Sequence, residues 1–391
     1  MVDAGSTGDD TCADKVKKEE EKMNMKFVKG LIVLAVVLAI CAAVPEVRAE
    51  ALPTFSLAWS EYPSWSAFGV AHEVKLINGK KGKLGPIEKK WGVDIVLKEA
   101  EYDPCLMMYG AGQVDAVCIT NMDVLPPSLG IQSVAILPTS TSYGADACIV
   151  TSGITAARQL RGRKVYGLAK TVSEYCFVRN LEIQGESEKD HVFTNMDPGA
   201  AAMAMQQRQK GYDAVVVWNP FVLSTLNKRK DTHVLFDSTT IPGEIIDMVV
   251  ASQKSLDKPG GKAFACAVID TFYALNRRLE LDFFRDDTLI ALGEKFSHLD
   301  LQSMRKVVQQ TKFYSNPEMA LSLFAQCNSF PGDEVKGDQV LKDIMVTVVD
   351  FCVAHEIVGE KPVIGYGSKS AAPAAALRFD PGYILEVMKS K

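Results

Sequence analysis

Two distant stretches of the chain spell nearly the same thing. One is Asp115-Ala116-Val117-Cys118-Ile119-Thr120-Asn121, and the other is Asp213-Ala214-Val215-Val216-Val217-Trp218-Asn219. Each begins Asp-Ala-Val, ends on Asn and continues to Val-Leu (Val124-Leu125, Val222-Leu223). Upstream, Asp103-Pro104 precedes the first and Asp197-Pro198 the second, and a glycine (Gly112, Gly211) stands just before each Asp-Ala. Asp caps a helix, and Pro suits the first helical position, where no N–H is needed. Gly ends the helix in the left-handed region. The β-branched run that follows fits a strand covered on both faces. Asn then sits just past the strand's carboxyl end, where open α/β sheets bind ligands. One such unit fits any α/β protein. Two units in the same order predict two similar lobes facing one another.

A chain of 391 residues has room for two domains with a sizeable core. Its composition, 47% hydrophobic and 23% charged, is globular. A net charge of −5 gives no support for nucleic acid or an anionic membrane as partner. Residues 1–24 are polar, with a Lys/Glu run from Lys15 to Lys22, and read as a disordered extension or as sequence upstream of a true start at Met23 or Met25. Residues 25–49 have the pattern of an export signal. Lys26 and Lys29 are basic, Leu31 to Val44 is uncharged and apolar, and Val47 and Ala49 are the small residues before a cleavage site. The apolar run is shorter than the roughly 20 residues of a membrane span. A periplasmic mature chain from Glu50 is therefore expected. Its cysteines (Cys105, Cys118, Cys148, Cys176, Cys266, Cys327 and Cys352) are scattered without a C-x-x-C pair. They read as buried hydrophobes, with room for one disulfide that sequence does not assign.

Strands are expected at Thr54–Trp59, Trp91–Leu97, Val134–Leu137 and Ala147–Thr151. A helix is expected around Ala67–Leu76 and another opening at Thr171-Val172-Ser173. From Ser255 onward the apolar spacing is mostly helical. The predicted organisation is lobe one over 50–150, lobe two over 151–245, and a return to lobe one with a helical tail over 246–391. The two crossings, at Ala147–Gly153 and Gly243–Ala251, would form a two-strand hinge able to close the lobes on a ligand.

Five stretches carry a resemblance: Ala58-Trp59-Ser60-Glu61-Tyr62-Pro63, Gly112-Gln113-Val114-Asp115-Ala116-Val117, Thr120-Asn121-Met122-Asp123, Val217-Trp218-Asn219-Pro220, and Phe236-Asp237-Ser238 through Ile241-Pro242-Gly243-Glu244-Ile245-Ile246-Asp247. With these the chain resembles the solute-binding proteins of ABC importers, in the group that takes nitrate, sulfonates, taurine and thiamine precursors. It looks closest to the urea-carboxylase-associated branch. The likeness covers Thr54 to Ala251 well and the tail loosely. It departs at Ser142-Tyr143-Gly144-Ala145-Asp146, where Ala145 stands in place of the branch's Asn. The resemblance implies a type II periplasmic-binding fold, a ligand held in the cleft, no catalysis, no cofactor, and docking of a monomer to membrane permease subunits. A thiamine-pyrimidine-synthase-like enzyme and a ligand-sensor subunit are the readings weighed against it. The five histidines are isolated, and there is no nucleophile elbow, phosphate loop or dinucleotide fingerprint.

The candidate ligand-binding residues are Trp59, Ser60, Glu61, Tyr62, Asn121, Asp123, Asp146, Ser173, Trp218, Asn219, Glu244 and Asp247, all at expected strand–loop ends. Ser173 and Asn219 also fit helix caps. The acids outnumber the bases, with Lys170 alone nearby, and buried carboxylates need a cation or several donors. The expected ligand is a small nitrogen compound: urea-like, guanidine-like or an amine. The alternatives are a pyrimidine thiamine precursor or an anion (nitrate, sulfonate, taurine), the anion held by Lys170 and the helix near Ser173. N-terminal sequencing of the protein from an extracytoplasmic fraction should find Glu50 or a residue close to it; an intact Leu31–Val44 segment there would refute the export signal.

Overall fold

The structure, a computed structural model, describes residues 17–31, 51–295, 299–324 and 341–390. The chain divides into two units, Met1–Ala51 and Leu52–Lys391. In the first, residues 17–31 form an exposed helix. That differs from the expectation of disorder for residues 17–24. Lys and Glu favour helix, and Lys17 and Glu21 stand one turn apart. Most of the export signal and its cleavage site lie outside the described residues. No described helix is long and apolar enough to cross a membrane.

The second unit holds two sheets. Strands β1 (Thr54–Trp59), β2 (Asp94–Glu99), β3 (Ala116–Thr120) and β4 (Ser133–Ser142) come first. The chain then builds β5 (Asp146–Thr151), β6 (Lys164–Gly167), β7 (Val192–Asn195), β8 (Ala214–Trp218) and β9 (Thr232–Asp237). It returns as β10 (Ile246–Ser252), β11 (Thr311–Phe313), β12 (Ile364–Tyr366) and β13 (Leu377–Phe379). The first sheet runs β12-β13-β4-β10-β3-β1-β2, with β11 also on β4, and the second runs β7-β6-β8-β5-β9. Parallel pairing dominates within each lobe (β2 and β3 on β1, β7 and β8 on β6), while β10 and β5 run antiparallel to their neighbours. The helices are α1 (Ser66–Glu73), α2 (Pro86–Trp91), α3 (Tyr102–Gly110), α4 (Leu125–Ser128), α5 (Val172–Ile183), α6 (Pro198–Gln206) and α7 (Phe221–Lys228). The tail adds α8 (Gln253–Leu256), α9 (Gly261–Glu280), α10 (Asp282–Lys295), α11 (Leu301–Gln310), α12 (Pro317–Phe324), α13 (Leu341–Ala354) and α14 (Gly382–Lys389).

The twin units are both present, and they differ in detail. Both β3 and β8 are buried along their whole length. In the second unit Asp197 caps α6, accepting from Ala200 N at 2.8 Å. In the first, α3 starts one residue before Asp103, and the cap position is Glu101, which makes no side-chain cap. Gly112 follows α3 at φ +67, as its place in the pattern requires. After α6 the left-handed position falls on Arg208 (φ +57), and Gly211 serves the next turn. Alternation along the second sheet divides its side chains. Cys148, Val150 and Val216 face the main core, while Ala147, Ile149, Val215 and Val217 face a second small core under α6 and α7.

The crossings lie elsewhere than the sequence predicts. β5 is an interior strand of the second sheet and β10 an interior strand of the first. β10 is buried throughout and β5 at every position but its last. An interior strand has its backbone paired on both sides, so neither can serve as a connector. The chain leaves the first sheet over residues 143–145, where Gly144 takes φ +93, and comes back over residues 238–245. The second lobe's strands therefore span Asp146 to Asp237, several residues earlier at each end than predicted. Trp91 ends α2 rather than opening β2, because Gly92 at φ +67 closes that helix.

The returning connector is bolted down. Glu244 takes Arg179 of α5 through two contacts of 3.0 Å and also accepts from the Tyr175 hydroxyl. Asn121 grips the same connector by its amide, donating to the Glu244 carbonyl at 3.0 Å and accepting from Ile246 N at 3.0 Å. Arg179→Met should strand the buried Glu244 charge and cost roughly 2–4 kcal/mol. Urea unfolding at pH 7.5 checks it; a loss below about 0.5 kcal/mol, the scale of an exposed pair, would mean the pair is solvated.

Candidate ligand-binding cleft

The carboxyl end of β3, the start of β10 and the end of β8 meet between the sheets. A small cavity sits there, lined by Tyr62, Trp65, Tyr102, Asp146, Trp218 and Asp247, with Thr120, Val172 and Ile245 closing it. Its clear volume is about 10 Å³, room for one water-sized body. An outer cleft of about 400 Å³ adjoins Tyr102 and Trp218 and includes Ser60, Glu61, Glu101 and Asp197. The aromatic wall is continuous. Tyr62 tilts against Trp65 (4.7 Å between rings), Trp65 stacks on Tyr102 (5.4 Å), and Tyr102 meets Trp218 edge-on (5.7 Å).

Three carboxyl groups gather at this cavity, all buried. Asp123 accepts from Tyr102 Oη (2.7 Å), Thr120 Oγ1 (2.9 Å) and Val172 N (3.2 Å). Asp247 accepts from Ser140 Oγ at 2.6 Å. Asp146 stands at the start of β5, opposite Trp218, with its own N–H on Ser142 Oγ at 3.1 Å. No lysine or arginine is among the residues lining the cavity. Burial pushes all three acids up, against the hydrogen bonds that lower them. Asp123 rises to about 6 and Asp146 to about 7, and Asp247 goes well above the ordinary carboxylate range. The neighbouring charges of Asp146 and Asp123 raise Asp247 further. One donor in the same wall, the Trp65 indole N–H, has no partner. The Tyr62 hydroxyl is set toward Asp247, and burial together with that carboxylate raises its pKa. The cavity thus offers acceptors that titrate near neutral pH beside a donor that lacks an acceptor.

Of the predicted residues, Tyr62, Asp146, Trp218 and Asp247 line this cavity. Asp123 sits directly behind its Tyr102, Thr120 and Val172 walls. Ser60 and Glu61 line the outer cleft. Trp59 is a core residue, packed so closely on Gly69 that a Cβ there would fall 2.7 Å from its ring. Asn121 and Glu244 are committed to the connector, as described. Asn219 is a strut: its Nδ2 donates to Gln310 Oε1 (2.9 Å) and its Oδ1 accepts from Leu223 N (3.4 Å). Ser173 lies inside the first turn of α5, whose cap is Thr171. Lys170 is exposed, and its ammonium reaches the Glu356 carbonyl at 3.3 Å. The residues missed were Trp65 and Tyr102. Their signal was present: Trp65 belongs to the aromatic loop after β1, and Tyr102 stands at the helix start that the Asp-Pro pair marks. Six cysteines are buried free thiols among the described residues; Cys327 lies outside them. No group of three or more His, Cys, Asp or Glu side chains among the described residues is placed to hold a metal.

Among solved structures, the chain is similar to the periplasmic aliphatic sulphonate binding protein SsuA from Escherichia coli, with TM-score 0.57 and 18% identity over 79% of this chain and 89% of that one. It is similar to the alkanesulfonate-binding protein SsuA from Xanthomonas axonopodis pv. citri bound to MOPS, with TM-score 0.60 and 16% identity over 84% of this chain and 100% of that one. It is also similar to the periplasmic nitrate-binding protein NrtA from Synechocystis PCC 6803, with TM-score 0.55 and 11% identity over 87% and 89%. The chain has the periplasmic-binding fold. No family model matches the sequence, and no curated protein matches it. In this fold the cavity described above falls between the lobes.

The raised carboxyl groups carry a stability consequence. The folded pKa of Asp146, about 7, lies above the ordinary carboxylate value of 3.8. Its contribution is therefore complete below about pH 4 and is lost as pH rises through about 7. Asp146→Asn, neutral throughout, should be more stable than the natural protein at pH 8, by on the order of 2 kcal/mol, and so melt at a higher temperature. The two should converge only below about pH 4. Equal melting temperatures across that range would show that the group stays ionised in the fold.

Proposed function

We propose that the chain is the extracytoplasmic solute-binding component of an ABC importer. It takes a small solute into the cleft between its sheets, where the small inner cavity adjoins the outer one of about 400 Å³, closes the lobes over it and delivers it to permease subunits as a monomer, without catalysis. The observation that carries this reading is the chemistry of the interlobe cavity: aromatic walls, an unpaired donor and three acids, set where this fold has its cleft. The similarity to solved binding proteins supports it.

The ligand follows from the cavity's own groups. Asp146 and Asp247 ask for N–H donors or a positive charge, and Trp65 Nε1, which can only donate, asks for an acceptor. A compact solute with several N–H groups and a carbonyl oxygen meets both. Among the nitrogen compounds this favours a urea-like amide over guanidine, which lacks the acceptor. The anion reading stands beside it on a different observation. The similar proteins whose names give a ligand bind sulfonates or nitrate, and on that comparison an anion is the better-supported class. An anion would have to be met by the acids in their protonated form.

The two readings couple to protons with opposite sign. A donor-rich or cationic solute needs ionised carboxylates, so its affinity should rise between pH 5.5 and 8, by up to about tenfold per pH unit for one coupled proton. An anion should lose affinity over the same range. Thermal-shift and calorimetric titrations with urea, acetamide, guanidine, methylamine, nitrate and taurine at both pH values decide between them. Binding of nitrate or taurine that weakens with pH, with no response to the nitrogen compounds, would overturn the ligand reading. No response to any of the six would count against a solute-binding role of this kind.

A further inference from the structure

Helix α5 opens at Val172, and the N–H groups of its first turn have no partner within the helix. Such a terminus attracts anions, because its N–H groups converge and the helix dipole is positive there. α5 packs on the second sheet, yet the group that meets its terminus comes from the first. Asp123 follows β3, and its Oδ1 accepts from Val172 N at 3.2 Å. Its Oδ2 is held by Tyr102 and Thr120, and its own N–H is fixed on Thr120 Oγ1 at 3.1 Å. The next amide, Ser173 N, goes to Thr171 Oγ1 at 3.4 Å. Lys170, the one base near this terminus in sequence, has its ammonium on the Glu356 carbonyl and its N–H on Glu174.

A second observation points to a ligand beside the same terminus. Ser173 Oγ, in the first turn, is buried with no hydrogen-bond partner. Trp65 Nε1, in the cavity that Val172 also lines, is likewise unpartnered. These donors call for an acceptor from outside. With the Asp123 carboxylate already on the Val172 N–H, a second anion there would meet a like charge, so the acceptor they fit is a neutral atom.

We propose that Asp123 is a specificity-determining residue: it fills the N-terminus of α5 from the opposite lobe and turns a potential oxyanion site into one that rejects anions. This rests on the cleft being a solute site, and it assigns the residue that sets the sign of the charge the site accepts. The same contact joins the two sheets, so Asp123 also takes part in holding them together. Removing its carboxylate would leave the Tyr102 hydroxyl, the Thr120 hydroxyl and Val172 N–H directed at one vacated position, which is an arrangement for an oxyanion.

The test is anion binding by the purified chain at pH 8, where Asp123 is ionised. Calorimetric titrations with nitrate and with methanesulfonate compare the natural protein, Asp123→Asn and Asp123→Ala. Asp123→Ala should gain affinity by about tenfold or more. Asp123→Asn should gain less, since its amide oxygen can still accept from Val172. A folded Asp123→Ala with no gain overturns the proposal. So does a natural protein that binds either anion as tightly as the variant does, a result that leaves the solute-binding reading standing. If Asp123→Ala does not fold, Asp123→Asn decides: a gain over the natural protein sustains the proposal and no gain overturns it. A gain in the variant from a natural protein that binds none of the six solutes sustains the role of Asp123 while removing support for the importer reading.

Discussion

Three carboxyl groups buried between two sheets, with no basic side chain lining the space they share, set the terms for the rest of this protein. A buried charge without a partner costs several kcal/mol, so such groups are kept by hydrogen bonds, by protonation or by a ligand. Each aspartate uses a different mixture. Asp123 is the most fully bonded, and its pKa rises least, to about 6. Asp146, with the Ser142 hydroxyl as the hydrogen-bonding side chain that lowers it, rises to about 7. Asp247 has the Ser140 hydroxyl, feels both other acids, and is pushed by burial well above its usual range. Between Asp123 and Asp146 the order follows the number of donors each group has.

The two-lobed architecture was legible because it rests on local grammar. A helix, a left-handed turn, a fully buried strand and a terminal Asn are set by residues next to each other, and the chain writes that grammar twice. The aspartates at the cleft were legible for the same reason, since acids at strand ends in an apolar context leave few other readings. Asn121, Asn219 and Glu244 do not line the inner cavity. Each stands at a strand or connector end, where ligand groups belong, but each is taken by a partner far away in sequence: the 244–246 backbone, Gln310 and Arg179. Nothing near Glu244 announces Arg179. The crossings were misplaced because a β-branched run looks alike whether it connects two sheets or lies inside one. Only strand pairing distinguishes them, and pairing is a tertiary fact.

The tail does more than cover the first sheet. Gln310, at the end of α11, holds Asn219 of the second lobe, and its carbonyl accepts from Tyr143 N of the outgoing connector at 2.9 Å. Lys312 lies 3.6 Å over the Tyr143 ring, and β11 extends the first sheet along the last residues of β4. From α13, Phe351 meets Tyr175 of α5 edge-on at 4.9 Å, and beyond it His355 reaches Glu188 at 2.7 Å. A region that composition marks only as helical therefore touches the second lobe at several points.

These contacts fall into two kinds, and the division bears on how such a molecule would open. The strongest involve the connectors themselves: Arg179 and Tyr175 on Glu244, Asn121 on the 244–246 backbone, and Gln310 on Tyr143. Bonds placed on the axis of a rotation keep their partners as the lobes turn. The contacts away from the connectors are weaker or more exposed: His355 with Glu188, Lys170 with the Glu356 carbonyl, and one ring edge on another. Exposed pairs of that kind contribute about 0–1 kcal/mol each, so breaking them is a small obstacle. Two contacts away from the connectors are exceptions, Asn219 on Gln310 and the buried bond of Asp123 on Val172, and the latter is next to the cavity. Breaking it on opening would bare a carboxylate and a helix terminus at once, but to water, which solvates both. Closing would restore the bond and take the terminus out of solution before an anion is enclosed with it.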